Sequence, residues 1–148
     1  MDFEKYAQKG NMLLDELGMT LGFPEDRKLS GRLLRAVLHA LRSKMTIDES
    51  FQLLAQLPMA LKGVYIEGWK IHQAPKKIRS ISDFVRGVVH EDFPVGHHDI
   101  QTAKDGENVI RAVFKVLKNH LSEGEVDNII NVMPKKVRPL WTGEAVIN

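Results

Sequence analysis

The chain has 148 residues, 43% of them hydrophobic and 27% charged, with a formal net charge of +2 at pH 7 and no cysteine. This is the profile of a soluble globular protein, one domain or two small halves sharing a core, rather than of a disordered chain. Lack of cysteine excludes disulfides, a thiolate nucleophile and cysteine-ligated zinc or iron–sulfur sites; residues 1–74 and 75–148 are each near neutral, which disfavours a dedicated duplex binder.

The opening residues, Met1 to Asn11, carry acids where a signal peptide needs basic residues and then an apolar run. No stretch approaches the ~20 apolar residues of a membrane helix, so the expectation is a cytoplasmic protein with no membrane partner. Phe3, Tyr6, Leu13, Leu14 and Leu17 predict a first helix over about 3–17, weakened in its middle by Gly10-Asn11 and stopped at "GFPED". Leu34, Val37, Leu38, Leu41 and Met45 form the apolar stripe of the next helix. Thr46 with Glu49 then reads as a capping box, the hydroxyl accepting the amide three residues on and the carboxylate reaching back. A third helix carries Phe51, Leu53, Leu54 and Leu57, and Pro58 opens a short one that ends at Tyr65. After a linker at about 70–79, a helix starts near Ser80 or Ser82 with Ile81, Phe84, Val85, Val88 and Val89 inward, ending at "EDFPVG". Ile110, Val113, Phe114, Leu117 and Leu121 form another stripe. Ser122 and Glu125 form a second capping box, followed by Val126, Ile129, Ile130 and Met133, and Pro134 opens a short helix ending at Trp141. No segment alternates with a two-residue period, so no sheet is expected.

The two halves align without a gap from Arg35 and from Arg111, at an offset of 76. Arg35-Ala36-Val37 meets Arg111-Ala112-Val113, Leu41 meets Leu117, Thr46 meets Ser122, Glu49 meets Glu125, Pro58 meets Pro134 and Tyr65 meets Trp141. The expected architecture is therefore all-α, a helical bundle built from two tandem repeats of a helix–helix–short helix unit. It forms one domain over 1–148, with units at about 1–70 and 80–148. Eleven residues separate Pro24 from Arg35 and seventeen separate Pro94 from Arg111, so the second unit carries an insertion around "GHHDIQT".

The pattern "RAVLHALRSKMTIDESFQLLAQLP…GVYIEGW", a linker with Pro75, and then "SISDFV…RAVFKVLKNHLSEGEVDNIINVMP…LW" resembles the bacterial domain-of-unknown-function family 2267. The resemblance covers nearly the whole chain, except for the "GHHDIQT" insertion and the long first helix. It implies a small all-helical domain with no assigned activity and transfers no site residue.

Several residue groups are candidates for chemistry. "PKKIR" (75–79) and "PKKVR" (134–138) look like copies of one phosphate-gripping device, but the repeat offset sets Pro134 against Pro58, so they are not equivalent. Lys76, Lys77, Arg79, Lys135, Lys136 and Arg138 read as solvated charges, or alternatively as one basic patch if the two segments meet. His90, His97, His98 and Asp99 lie in a segment expected to be an exposed polar loop; as a metal site these four would be its ligands. His39 and His120 align with lysines in the other half and are expected on solvent faces. Arg35 with Glu49 and Arg111 with Glu125 are expected to pair. Tyr65 and Trp141 are expected to plug the ends of their bundles, or to line a groove together with Trp69, which has no equivalent in the repeat. No nucleophile elbow and no phosphate loop occurs.

The function expected is therefore a non-catalytic protein-interaction or scaffold module without a cofactor, its partner another protein or a second copy. The alternatives are binding of nucleic acid or another anion at the basic patch, and metal binding at 90–99.

Overall fold

The computed structural model describes residues 1–146; residues 147 and 148 of the expected domain lie outside it. Every regular element among the described residues is helical. Helix α1 (Phe3–Leu21) starts at Asp2, whose carboxylate accepts the amide of Lys5, and stops at Gly22, whose φ of 90° only glycine adopts freely. It runs one turn beyond the expected end and buries Leu13, Leu17 and Gly18, whereas Phe3 and Tyr6, expected inward, are exposed. Gly10 proves useful rather than weak. A Cβ there would stand 3.1 Å from that of Ala60, so the glycine lets α1 lie close to α4 (Met59–Ile66).

Helix α2 (Arg27–Arg42), capped by Asp26, and helix α7 (Ala103–Asn119), capped by Thr102, are the two most buried elements. Both exceed a single apolar stripe: Ala36 and Ala40, and Ala112 and Val116, are buried as well. The reason is that neighbours surround them. Helix α2 packs against α1, α4 and α5 (Ile81–Glu91), and α7 packs against α1, α5 and α9 (Arg138–Thr142). This burial overturns one expectation. His39 is not on a solvent face but beneath α4, where its Nε2 lies 2.7 Å from the carbonyl of Val64.

Helices α3 (Ile47–Gln56) and α8 (Glu123–Val132) begin with the expected capping boxes. Thr46 and Ser122 each accept an amide at 3.1 Å, and Glu49 and Glu125 each accept the cap amide at 2.8 Å. The two helices pack against each other. Phe51, expected in the core, faces outward. Pro58 starts α4 as expected. Beyond Pro134 the single short helix divides into a 3₁₀ turn at Lys135–Val137 and then α9, because Pro139 has no N–H to donate to the carbonyl four residues back. A four-residue helix, α6 (Gly96–Asp99), completes the set.

One apolar cluster runs from Leu13 to Trp141 and includes Tyr65, Phe84 and Phe114. The linker joins it through buried Ile78, and the amide of Lys76 donates to the carbonyl of Ser43 at 2.8 Å, which fixes the linker along the end of α2. None of the helices described is long and apolar enough to cross a membrane.

The fold makes opposite predictions for two glycines. A Cβ at Gly96 would sit 2.1 Å from the carbonyl oxygen of Val89, whereas one at Gly63, within α4, would meet nothing within 4 Å. Gly96→Ala should destabilise the protein by about 1–3 kcal/mol through overpacking. Gly63→Ala should stabilise it by about 0.5–1 kcal/mol through helix propensity. Urea denaturation of the two variants measures both.

Candidate functional site

The end of α2, the segment 68–76 and the end of α5 enclose a cleft of about 350 Å³. Its construction begins with Tyr65, which closes the core at the end of α4. The phenol shares a hydrogen bond of 2.8 Å with buried Ser50, and burial pushes the Tyr65 hydroxyl up to about 12. The carbonyls that α4 leaves unpaired at its end need donors. Arg42 supplies them, giving 2.7 Å hydrogen bonds to the carbonyls of Tyr65 and Glu67, and burial lowers its guanidinium from the ordinary value. Gly68, at φ 65°, then turns the chain so that Trp69 lies edge-on to Tyr65 at 6.0 Å and to Phe51 at 5.6 Å between ring centres.

The resulting wall is mostly polar, with a smaller apolar share. Met45, Ile47, Trp69 and Ile71 stand on it with Arg42, Lys70 and Lys76, and Glu91 is its one carboxylate. His39 and His90 also face it. Burial outweighs the carbonyl of Val64, which would raise it, and lowers the His39 imidazole below its ordinary value, favouring the neutral ring. The cleft can therefore hold an anion against an apolar side chain. The hydroxyl of Ser43, which also lines it, donates to the carbonyl of Ala40 at 2.7 Å.

Of the aromatic candidates, the structure puts only Trp69 on a cleft. Tyr65 and Trp141 are 0% and 1% exposed, so neither lines a groove; Trp141 packs edge-on to Phe114 at 5.3 Å. At Trp141 the role of Arg42 falls to Lys118, whose ammonium bonds the Trp141 carbonyl and lies 5.6 Å from the ring centre. Burial lowers the Lys118 ammonium. Arg42 and Lys118 were missed as site residues, although the alignment that pairs Arg35 with Arg111 pairs them too.

The basic segments are split by the fold. Lys76 faces the first cleft. Arg79 and Lys136 meet across a second, also of about 350 Å³, with Ser80, Ile81 and Pro139. Lys77 and Lys135 are exposed, and Arg138 is occupied, donating to the carbonyls of Met133 at 2.9 Å and Asn131 at 3.3 Å.

Segment 90–99 is not the exposed polar loop expected. Asp92 is 1% exposed, Gly96 and Ile100 are buried, and Asp99 turns inward to a two-pronged pair with Arg32 at 3.0 and 3.2 Å. His97 and His98 point outward from α6. Of the four candidate ligands, His90 and His97 line one groove and His98 lies 3.5 Å from Asp99, but among the described residues no group of three His, Asp or Glu side chains is placed to hold a metal ion. Burial, followed by the facing Asp99 carboxylate, pushes Asp92 up to about 7. Burial would raise Asp99 too, but hydrogen bonds from Arg32, Asp92 and His98 outweigh it and hold Asp99 below the ordinary value.

The expected arginine–glutamate pairs are replaced by others. Arg35 meets Glu67 at 3.4 Å, and Arg111 meets Glu107 at 3.2 Å, because Glu49 and Glu125 are committed to their capping boxes. His120, expected in solvent, bridges α1 and α7. It accepts from Lys9 at 2.7 Å and donates to Glu16 at 2.9 Å.

The sign of the Asp92 shift sets a pH dependence. Its folded value lies above the ordinary 3.8, so the stability it supports is fully present below that value and is lost as pH rises through about 7. Asp99 has the opposite sign, and its contribution is lost as pH falls below the ordinary carboxylate range. Urea midpoints should fall between pH 5 and 8 in the wild type and fall less in Asp92→Asn, with slopes differing by up to about 1.4 kcal/mol per pH unit.

A family model described as "Uncharacterized conserved protein (DUF2267)" matches residues 11–140. No curated protein matches the chain.

Proposed function

We propose, from the premise that the chain belongs to the DUF2267 family of uncharacterized conserved proteins, that this is a non-catalytic docking module. Its cleft around Trp69 receives an acidic segment of a partner protein that carries an apolar side chain. The observation that carries this reading is the composition of the wall, with Ile47, Trp69 and Ile71 beside Arg42, Lys70 and Lys76 against the single acid Glu91. An aromatic flanked by cations at the rim of a cleft is a common anchor for a partner chain.

The non-catalytic reading is supported by how the reactive side chains are used. Thr46, Ser80, Thr102 and Ser122 cap helices, Ser50 bonds Tyr65, and His39 and His120 tie elements together. We further read the chain as one domain of two duplicated units related by a pseudo-two-fold axis. In its favour, α1 packs on α7 while α5 packs on α2, and α3 packs on α8, the reciprocal pattern that a two-fold axis produces. Arg42 with Tyr65 and Lys118 with Trp141 follow the same offset. The docking cleft arises where the copies differ, since the segment after Tyr65 continues into the linker.

A labelled Glu-rich peptide with one central Leu tests the reading, set against the same peptide with Lys for Glu. The acidic peptide should bind, more weakly as salt rises. Trp69→Ala should cost about 2 kcal/mol of binding, roughly thirtyfold. Lys70→Glu with Lys76→Glu should weaken it comparably, and Lys135→Glu, outside the cleft, should not. Equal binding of the two peptides, or indifference to Trp69→Ala, sinks the proposal.

A second reading has its own observation, the meeting of Arg79 and Lys136 in one cleft. There the ligand is a phosphate-bearing polymer. Single-stranded DNA should then bind with strong salt dependence, and Arg79→Glu with Lys136→Glu should abolish it. Binding unchanged in that double variant discards the second reading.

A further inference from the structure

The groove with the largest volume described, about 520 Å³, lies elsewhere, between α5 and the segment 97–103. Its floor is apolar, made by Val85, Val89 and Ile100, and its rim carries Arg86, His90 and His97 with no Asp or Glu in the lining. Volume and lining fall in the range of small-molecule sites, an apolar body with a few polar groups that fix orientation.

We infer that this groove binds a small organic carboxylate with an aliphatic body, of the medium-chain fatty acid type. The argument rests on charge, shape and rigidity. The planar guanidinium of Arg86 suits a carboxylate, which it grips with two parallel donors. Arg86 is 71% exposed and lies 3.6 Å from Asp83. Asp83 does not consume it, because the contact, from one Nη to Oδ1, is longer than a hydrogen bond and leaves the other guanidinium donors unused. An inorganic anion would leave the valine and isoleucine floor unused; an aliphatic tail covers it. An alkyl ammonium would have its tail covered but its charge repelled.

The walls are held before any ligand arrives. Gly106 brings α7 so close to α5 that a Cβ there would stand 2.4 Å from Cγ1 of Val85, and Gly96 lies under the carbonyl of Val89 with no room for a side chain. Asp99, locked to Arg32, secures the far end of α6 beside His97. A preformed groove saves the ordering cost that weakens flexible sites. Residues of the "GHHDIQT" insertion build one wall.

The test is methyl NMR of the full chain titrated separately with octanoate, octanol and octylammonium. Octanoate should shift the methyls of Val85, Val89 and Ile100 saturably, with a Kd of about 0.1–1 mM. Octanol should bind about tenfold more weakly, and octylammonium should not bind. Arg86→Gln with His97→Gln, both outside the core, should bring octanoate down to the level of octanol. Val89→Asp should remove octanoate binding, and its methyl spectrum reports whether the fold survives; if it does not, the Arg86 and His97 pair decides alone. The inference is overturned if octanoate and octylammonium bind alike, if the shifts fall outside the groove, or if none saturates by about 10 mM. The groove is tested independently of the docking cleft, because neither Arg86 nor His97 faces it.

Discussion

Two short helices end at the aromatics that close the core, and a cation from a long helix pairs their last carbonyls. An unpaired buried carbonyl costs on the order of 1–3 kcal/mol, enough to unseat a helix of a few residues. At α4 the donor is Arg42, and at α9 it is Lys118. Each cation comes from a long buried helix and clamps the backbone of the aromatic that closes the core, Tyr65 or Trp141. Much of the remaining structure follows. With Tyr65 clamped, the chain beyond it has to turn away at Gly68, and Trp69 is left at the surface, supported from behind by Tyr65 and Phe51.

The same clamp shapes the docking cleft. Arg42 cannot both satisfy two carbonyls and swing out freely, so it contributes a fixed positive wall, while the mobile charge comes from Lys70 and Lys76 on the segment that leaves the clamp. At the other clamp the chain runs only a few described residues past Trp141, and Arg111 takes up the carbonyl of Glu144 at 2.6 Å. The residues beyond Trp141 instead help to line the cleft of Arg79 and Lys136, through Ala145 and Val146. The linker and the "GHHDIQT" insertion, where the halves of the sequence diverge, each line a cleft that carries cations.

Much of this was legible in the sequence because it depends on neighbours a few residues apart. The capping boxes at Thr46 and Ser122, the stops at Phe-Pro, the helix starts at Ser80 and Pro58, and the stripes of α2 and α5 are local signals, and each appears in the structure. The failures share a cause. His39 and His120 were read as solvent-facing from their lysine counterparts, but whether a helical position meets water depends on which helix crosses it, and α4 and α1 cross these two. Phe51 fits a helical stripe yet faces outward, because α3 buries its sides toward α8 and α4 and Phe51 lies on neither. Arg35 and Glu49 carry complementary charges, but the capping box had the prior geometric claim on Glu49.

The sequence by itself determined most of the helical segments and their caps, though not α6 or the break before Pro139, and that no cysteine chemistry or phosphate loop is available. These follow from short-range sterics, capping and periodicity, which a linear string records directly. Only the tertiary structure decided that Arg79 meets Lys136, that Asp99 turns inward to Arg32 while His97 and His98 point out, and that Trp69 alone among the candidate aromatics reaches a cleft. Those outcomes depend on contacts between residues tens of positions apart. Packing around α2 and α7 selects them, and the order of residues along the chain does not display that packing.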